Sequence, residues 1–254
     1  MEMILGPEML ALLLLAAFLA GFVDAVAGGG GLIMMPTLLT IGLAPHTALG
    51  TNKLAGTFGT MMSAGVYARK KIFQPRMWLL MIFATFIGAV SGTLLAMALS
   101  ADMVKKIIPV FIILVAGYVL WPRRLAACAE PIRRGRRSEI AMGGTLGFYD
   151  GLIGPGTGSF WVSLSMLVYR IDIIQASALA RSMNFVSNIV SCITFMLLSS
   201  VNYTIGLTMG AALMLGAYVG VHSAIRYGVT YVKYFFVSVA VLLAARLIQQ
   251  EWLL

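Results

Sequence analysis

The chain has 254 residues, 60% hydrophobic and only 11% charged, with a net charge of +9 and a mean hydropathy of +0.95. A soluble domain carries about 25% charged residues, so too little polar material is present to cover a water-facing surface. The composition points to a polytopic, all-α membrane protein: a β-barrel would need alternating short strands, and the positive charge reads as an orientation signal in a bilayer, with no nucleic-acid partner implied.

A crossing of the hydrocarbon layer takes roughly 20 apolar residues. On that measure, spanning helices are expected near 8–26, 46–69, 77–99, 104–121, 139–153, 173–198, 204–222 and 230–250, about eight in all. Two further apolar pieces, 32–43 and 158–169, have about 12 residues each and reach only about 18 Å as helices at a rise of roughly 1.5 Å per residue. They read as re-entrant arms or truncated spans. The acidic start (Glu2, Glu8) lacks the basic n-region of a secretory signal, and no cleavage is expected. Basic residues gather at Arg69, Lys70, Lys71 and Arg76 and in the stretch that carries Arg123, Arg124, Arg133, Arg134, Arg136 and Arg137. Short basic loops stay on the cytoplasmic side, so the loop 122–138 is expected inside, joining a first transmembrane repeat (1–121) to a second (139–254). The cell inner membrane is the expected location. Cys128 and Cys192 imply no disulfide framework.

The two halves share a motif. Gly21-Phe22-Val23-Asp24 runs into the cluster Gly28, Gly29, Gly30 and Gly31. Gly147-Phe148-Tyr149-Asp150 runs into Gly154-Pro155-Gly156-Thr157-Gly158-Ser159. Matching glycine breaks in two halves of a hydrophobic chain are the best sequence pointer to the binding site of a secondary transporter. Non-helical backbone survives at membrane depth only inside the protein or along a wet cavity, so both clusters belong to the interior. Each opens a short helix, where free N–H groups and the positive dipole end attract anions. Glycine there allows φ > 0 and close approach of a ligand, and Thr157 and Ser159 can add hydroxyl donors. The alternative use of such glycines is tight helix packing.

The repeat continues past the clusters. Lys53, Gly56, Thr60 and Ser63 match Arg181, Asn184, Asn188 and Ser191 at a constant offset of 128 positions. Spacings of three and four put each set on one helix face, and Ser177 extends the second face. Lys or Arg at mid-membrane costs about 2.5–3.5 kcal/mol on insertion scales. Either these cations snorkel to an interface or they serve a site, and their equivalent positions favour a site. Asp24 and Asp150 have two readings as well: proton coupling, or capping loop amides and pairing with Lys53 and Arg181. The second is preferred. His46 and His222 lack metal-ligand spacing, and neither metal nor cofactor is expected. If the short pieces count as crossings the halves are inverted; if they are re-entrant the halves are parallel. The distribution of basic residues favours inversion.

On these motifs, together with Thr51-Asn52-Lys53-Leu54 and the segment from Ala180 to Asn188, the chain resembles the TauE/SafE family of membrane permeases, the toluene sulfonate uptake permease group, over nearly its whole length. The resemblance implies a bacterial or archaeal permease for sulfite, sulfonates or related sulfur anions. It also implies a site formed by Asn52, Lys53, Thr157, Arg181, Asn184 and Asn188. Relatives often carry lysine where this chain has Arg181, which replaces a point charge by a planar two-pronged donor.

The expected function is a secondary, alternating-access transporter of small sulfur-containing oxyanions, bound between the repeats by glycine-loop amides and basic or polar side chains. Its partners are the anion and the lipid bilayer, with homo-oligomer formation left open. A passive anion channel is the alternative. An intramembrane aspartic enzyme is a distant third, because its Gly-x-Gly-Asp partner is missing, and no Walker motif supplies ATP. No catalytic residue is expected.

Overall fold

The computed structural model describes residues 6–120, 135–198 and 201–228, with side chains described through residue 118 in the first of these ranges. Nine α-helices account for nearly all of them: α1 (Pro7–Ala27), α2 (Gly31–Thr40), α3 (Pro45–Arg69), α4 (Leu79–Ala98), α5 (Ala101–Leu120), α6 (Arg136–Leu152), α7 (Thr157–Tyr169), α8 (Ile173–Leu198) and α9 (Tyr203–Tyr227). A 3-10 turn, Pro75–Trp78, leads into α4. The helix expected near 230–250 and most of the loop 122–138 lie outside the described residues.

Local chemistry sets the boundaries. Proline, which has no N–H to leave unsatisfied, opens α1 and α3 as Pro7 and Pro45. Asp172 accepts from the amides of Ile174 and Gln175 at 2.8 and 2.9 Å to start α8, and Asn202 accepts from Ile205 at 2.9 Å to start α9. Helix α1 stops where Gly28 turns left-handed at φ 85°, its N–H closing on Val23 and Asp24. Gly154 and Gly156 do the same after α6, at φ 91° and 78°.

Among the described residues, four helical segments are long and apolar enough to cross a membrane: Pro7–Ala27, Pro75–Ala98, Ile173–Leu198 and Tyr203–Tyr227. With 25 residues α3 is as long as α9, but its polar stripe lowers its hydropathy. Helix α2 has 10 residues and α7 has 13, so neither reaches across at roughly 1.5 Å per residue.

Glycine contacts give the packing directions. Helix α3 runs antiparallel to α8: Gly50 lies against Phe195 and Gly56 against Asn188. Helix α9 runs parallel to α3, with Leu54 on Gly206 and Phe58 on Gly210. Helix α1 also runs parallel to α9, with Phe18 on Gly216 and Phe22 on Gly220. On the other side α6 parallels α4, with Thr85 on Gly147 and Ala89 on Gly151. Helix α8 parallels α4 through Thr85–Met183 and Thr93–Ser191. Two three-helix groups, α1-α3-α9 and α4-α6-α8, thus run in opposite senses and meet along the α3–α8 seam.

These directions bring the end of α3 and the beginnings of α4, α6 and α8 to one face, together with the end of α9. Arg69, Lys70, Lys71, Arg76, Arg136, Arg137, Arg170 and Arg226 all stand there. Among the described residues, the opposite face has only Lys105 and Lys106, in α5, as lysine or arginine.

Candidate functional site: a paired-charge cavity between crossed glycine loops

The glycine loops that follow α1 and α6 cross at the centre of the bundle. The amide of Ser159 donates to the carbonyl of Gly28 at 3.1 Å, and its hydroxyl donates to the carbonyl of Ala27 at 2.7 Å. A Cβ on Gly28 would stand 2.5 Å from the Gly158 carbonyl carbon, and one on Gly158 would stand 2.7 Å from the Gly28 Cα. Real Cβ atoms do not approach that closely, so each loop needs glycine in order to pass the other. Gly31 sits against Pro155 in the same crossing. The close approach expected for a ligand is therefore made first by the partner loop.

Both cations expected from the sequence are buried at this crossing, with Lys53 1% and Arg181 0% exposed; neither snorkels. The Lys53 ammonium lies 3.0 Å from Asp150 Oδ1 and also donates to the Asp150 carbonyl. Arg181 Nη1 lies 2.9 Å from Asp24 Oδ2 and also donates to the Asp24 carbonyl. Each carboxylate also supports a loop. Asp24 Oδ1 accepts from the Gly30 amide at 3.1 Å, Asp150 Oδ1 accepts from the Thr157 hydroxyl at 3.1 Å, and Asp150 Oδ2 accepts from the Ser187 hydroxyl. Each aspartate thus pairs with a cation and bonds a loop group. Ser187 is a partner that sequence reasoning passed over, although it lies within the Ala180–Asn188 motif. The four charges sum to zero.

In front of these pairs lies a cavity of about 40 Å³, room for on the order of three waters at roughly 10–15 Å³ each. Of the expected ligand residues, Gly28, Gly30, Gly31, Asn52, Lys53, Gly154, Gly156, Thr157, Gly158, Asn184 and Asn188 line it, as do Asp24 and Asp150. Arg181, Ser159 and Gly29 are not on its wall. Arg181 stands behind it, its Nη2 close to where a Cβ on Gly28 or Gly158 would lie, and Ser159 is spent on the loop crossing. Gly56, Thr60, Met34 and Leu213 complete the lining. Gly56 and Thr60 were legible as part of the α3 stripe, whereas Leu213 comes from the apolar face of α9 and carried no signal.

Some of the amide supply expected for an anion is already committed, since the N–H groups of Gly30, Thr157 and Ser159 bond within the loops. Lysine has three N–H donors, and among the described residues Asp150 takes two of those on Lys53. Gly156 lines the cavity, but its Cβ direction meets Val115 Cγ1 at 2.0 Å. A side chain there would push against α5 as well as fill the site. No group of three or more potential metal ligands occurs among the described residues.

The chain is 34% identical over 254 residues to a probable membrane transporter protein of Haemophilus influenzae, covering 98% of each chain. It is 37% identical over 249 residues to the probable membrane transporter protein ORF9 of a Sinorhizobium species, covering 96% of this chain and 94% of the other. The probable membrane transporter protein YfcA of Escherichia coli is 33% identical over 244 residues, 96% of this chain and 91% of that one. No solved structure matches. The family model described as sulfite exporter TauE/SafE matches residues 13–247, so the chain belongs to the TauE/SafE family of membrane transporters.

Proposed function

We propose that this chain is a secondary transporter of small sulfur-containing oxyanions, sulfite foremost, which occupy the central cavity between two inverted repeats and cross by alternating access. The observation that carries the reading is the exchanged pair of buried ion pairs. Two lysine or arginine charges at mid-membrane are retained at considerable expense in desolvation, and both sit at a polar cavity bounded by two broken helices. The family description points to sulfite.

The cavity suits an oxyanion. The third donor of Lys53 and the amide groups of Asn52, Asn184 and Asn188 supply hydrogen bonds to oxygen. The paired aspartates keep the unoccupied site neutral, so an incoming anion meets hydrogen-bond donors without having to displace a counter-ion. A volume near 40 Å³ favours a compact ion over an arylsulfonate.

The repeat reading, with halves 1–121 and 139–254 joined by 122–138, is supported by the antiparallel seam of α3 and α8, whose polar stripes are equivalent in sequence. It is supported also by the reciprocal packing of α1 on α9 and α4 on α6. Helices that are equivalent but antiparallel imply halves of opposite orientation. The basic face is then cytoplasmic, in the inner membrane, with the start of α1 outside.

The test is flux of radiolabelled sulfite into proteoliposomes. Lys53→Ala and Arg181→Ala should each abolish it while the protein still inserts, and normal flux in either refutes the reading. Trans-acceleration by unlabelled sulfite distinguishes a carrier from a channel. A thermal-shift panel of sulfite, thiosulfate, sulfoacetate, taurine, sulfate and acetate identifies the anion.

A further inference from the structure

Six buried side-chain polar atoms among the described residues have no hydrogen-bond partner: Ser63 Oγ, Tyr67 Oη, Trp161 Nε1, Ser165 Oγ, Arg181 Nε and Asn184 Oδ1. The large majority of buried polar groups in native proteins are satisfied by protein or ordered water, so these orphans mark places for water. Asn184 is at the central cavity; Ser63 and Tyr67 on α3 and Trp161 and Ser165 on α7 lie on helices that lead from it toward the basic face. Ser63 and Tyr67 are successive positions on the α3 stripe, running from the cavity toward the basic face. Gly56 meets Asn188, and two turns further along the antiparallel seam Ser63 comes level with Arg181. Trp161 and Ser165 share a face of α7, which starts at the cavity with Thr157 and ends at Tyr169. The Tyr169 ring packs on Trp78 at 5.2 Å, next to the basic face.

Next to that face lies a second cavity of about 330 Å³, with exposed Lys71, Gln74 and Gln175 at its mouth and Trp78, Tyr169 and Leu179 in its wall. Tyr67 and Trp161 belong to the same packed cluster as Trp78, Tyr169 and Leu179. Lys71 at this mouth and Arg170, which ends α7 between Tyr169 and Ile171 of the cavity wall, hold left-handed backbone at φ 58° and 53°. Non-glycine residues seldom adopt that conformation, and it concentrates where function requires it.

The equivalent stretch on the other side of Lys53 is built differently. The counterpart of Ser63 is Ser191, whose hydroxyl is bonded to Thr93 at 2.9 Å. The counterpart of Tyr67, 128 positions on, is Phe195, fully buried and pressed on Gly50 beside Val201. One half of the seam leaves its polar atoms unpaired; in the other the counterpart serine is bonded and Phe195 closes the space.

We propose that the seam from Arg181 and Ser63 past Tyr67, Trp161 and Ser165 to the cavity under Lys71 is the half of the translocation path that opens to the basic face and then takes up water. In the conformation described these five side chains are fully buried and the seam is shut; it is the side that parts toward the basic face, whereas Phe195 and Leu49, buried in one apolar cluster, close the other. The unpaired atoms are the donors and acceptors that water and a passing small anion use, with the Arg181 guanidinium at the throat. This rests on the transporter reading above, but its test does not need a substrate.

The test uses the full-length protein with Cys128→Ser and Cys192→Ala, in sealed vesicles exposed to a charged, membrane-impermeant methanethiosulfonate on one side at a time. Gln74→Cys marks the basic face. Ser63→Cys and Ser165→Cys should react from that face at least tenfold faster than from the other, and Phe195→Cys and Leu49→Cys should react from neither. Two seam positions guard against misfolding of one, and labelling after denaturation verifies that each thiol is present. Seam thiols that stay unlabelled from both faces, or react equally from the opposite face, overturn the proposal. Labelling as expected in a protein that carries no sulfite would keep the path and remove the substrate.

Discussion

The ammonium of Lys53, on α3, lies 3.0 Å from the carboxylate of Asp150, on α6. The relationship is returned in kind, since Arg181, on α8, lies 2.9 Å from Asp24, on α1. Each half of the chain supplies the cation that neutralises the other half's carboxylate. The two exchanged pairs hold the broken helices together at the depth where a lone charge is least tolerable.

Breaking one pair should therefore destabilise more than abolishing it. Asp150→Ala leaves Lys53 buried and unpaired, and about 3–5 kcal/mol of stability should be lost. The double variant Lys53→Met with Asp150→Leu should recover most of it yet carry no sulfite. Thermal unfolding in detergent beside proteoliposome flux checks both halves of the statement; recovery of flux in the double variant would reduce the pair to a packing element.

Ser187→Ala removes the hydroxyl that donates to Asp150 Oδ2. A hydrogen bond to a charged group contributes about 1.5–3 kcal/mol, and a loss in that range is expected. Ser182→Ala should change little, because that hydroxyl donates only to the Ala178 carbonyl of its own helix. Equal melting temperatures for the two variants would contradict the role given to Ser187.

Gly28→Ala meets two penalties at once. A left-handed alanine costs roughly 1–2 kcal/mol, and its Cβ would lie 2.5 Å from Gly158 and Ser159 backbone atoms. The loops should be forced apart, with loss of both flux and thermal stability. Gly42→Ala is the control: it is equally left-handed at φ 86° but has nothing within 4 Å of the added Cβ, so only the conformational penalty should appear.

Asn188 faces the cavity, and its amide lies 3.3 Å from where a Gly56 Cβ would stand. Asn188→Leu keeps similar bulk while removing its donors and acceptors. Stabilisation of the purified protein by sulfite should fall by about tenfold in apparent affinity, the loss of one hydrogen bond of roughly 1.4 kcal/mol, with melting temperature nearly unchanged. Undiminished stabilisation would move the anion away from this wall.

Much was legible in the chain as written. The 3.6-residue spacing and apolar run lengths put the expected ends of α3 and α8 within a residue of those observed. The doubled glycine motif marked both breaks, and the offset of 128 positions paired Lys53 with Arg181. These are local properties: helix periodicity, left-handed backbone and length against bilayer thickness are set by nearest neighbours along the chain. Tertiary structure decided which aspartate each cation meets, that the glycines of one loop make room for the other loop before any ligand, and that Arg181 stands behind the cavity wall. It also decided that Leu213 reaches the cavity and that the seam's polar atoms are unpaired toward one face but bonded, or replaced by Phe195, toward the other. Those outcomes depend on close approach between segments about a hundred or more residues apart, and on the strong penalty for an unpaired buried charge. Neither leaves a pattern in the spacing of residues along one strand of sequence.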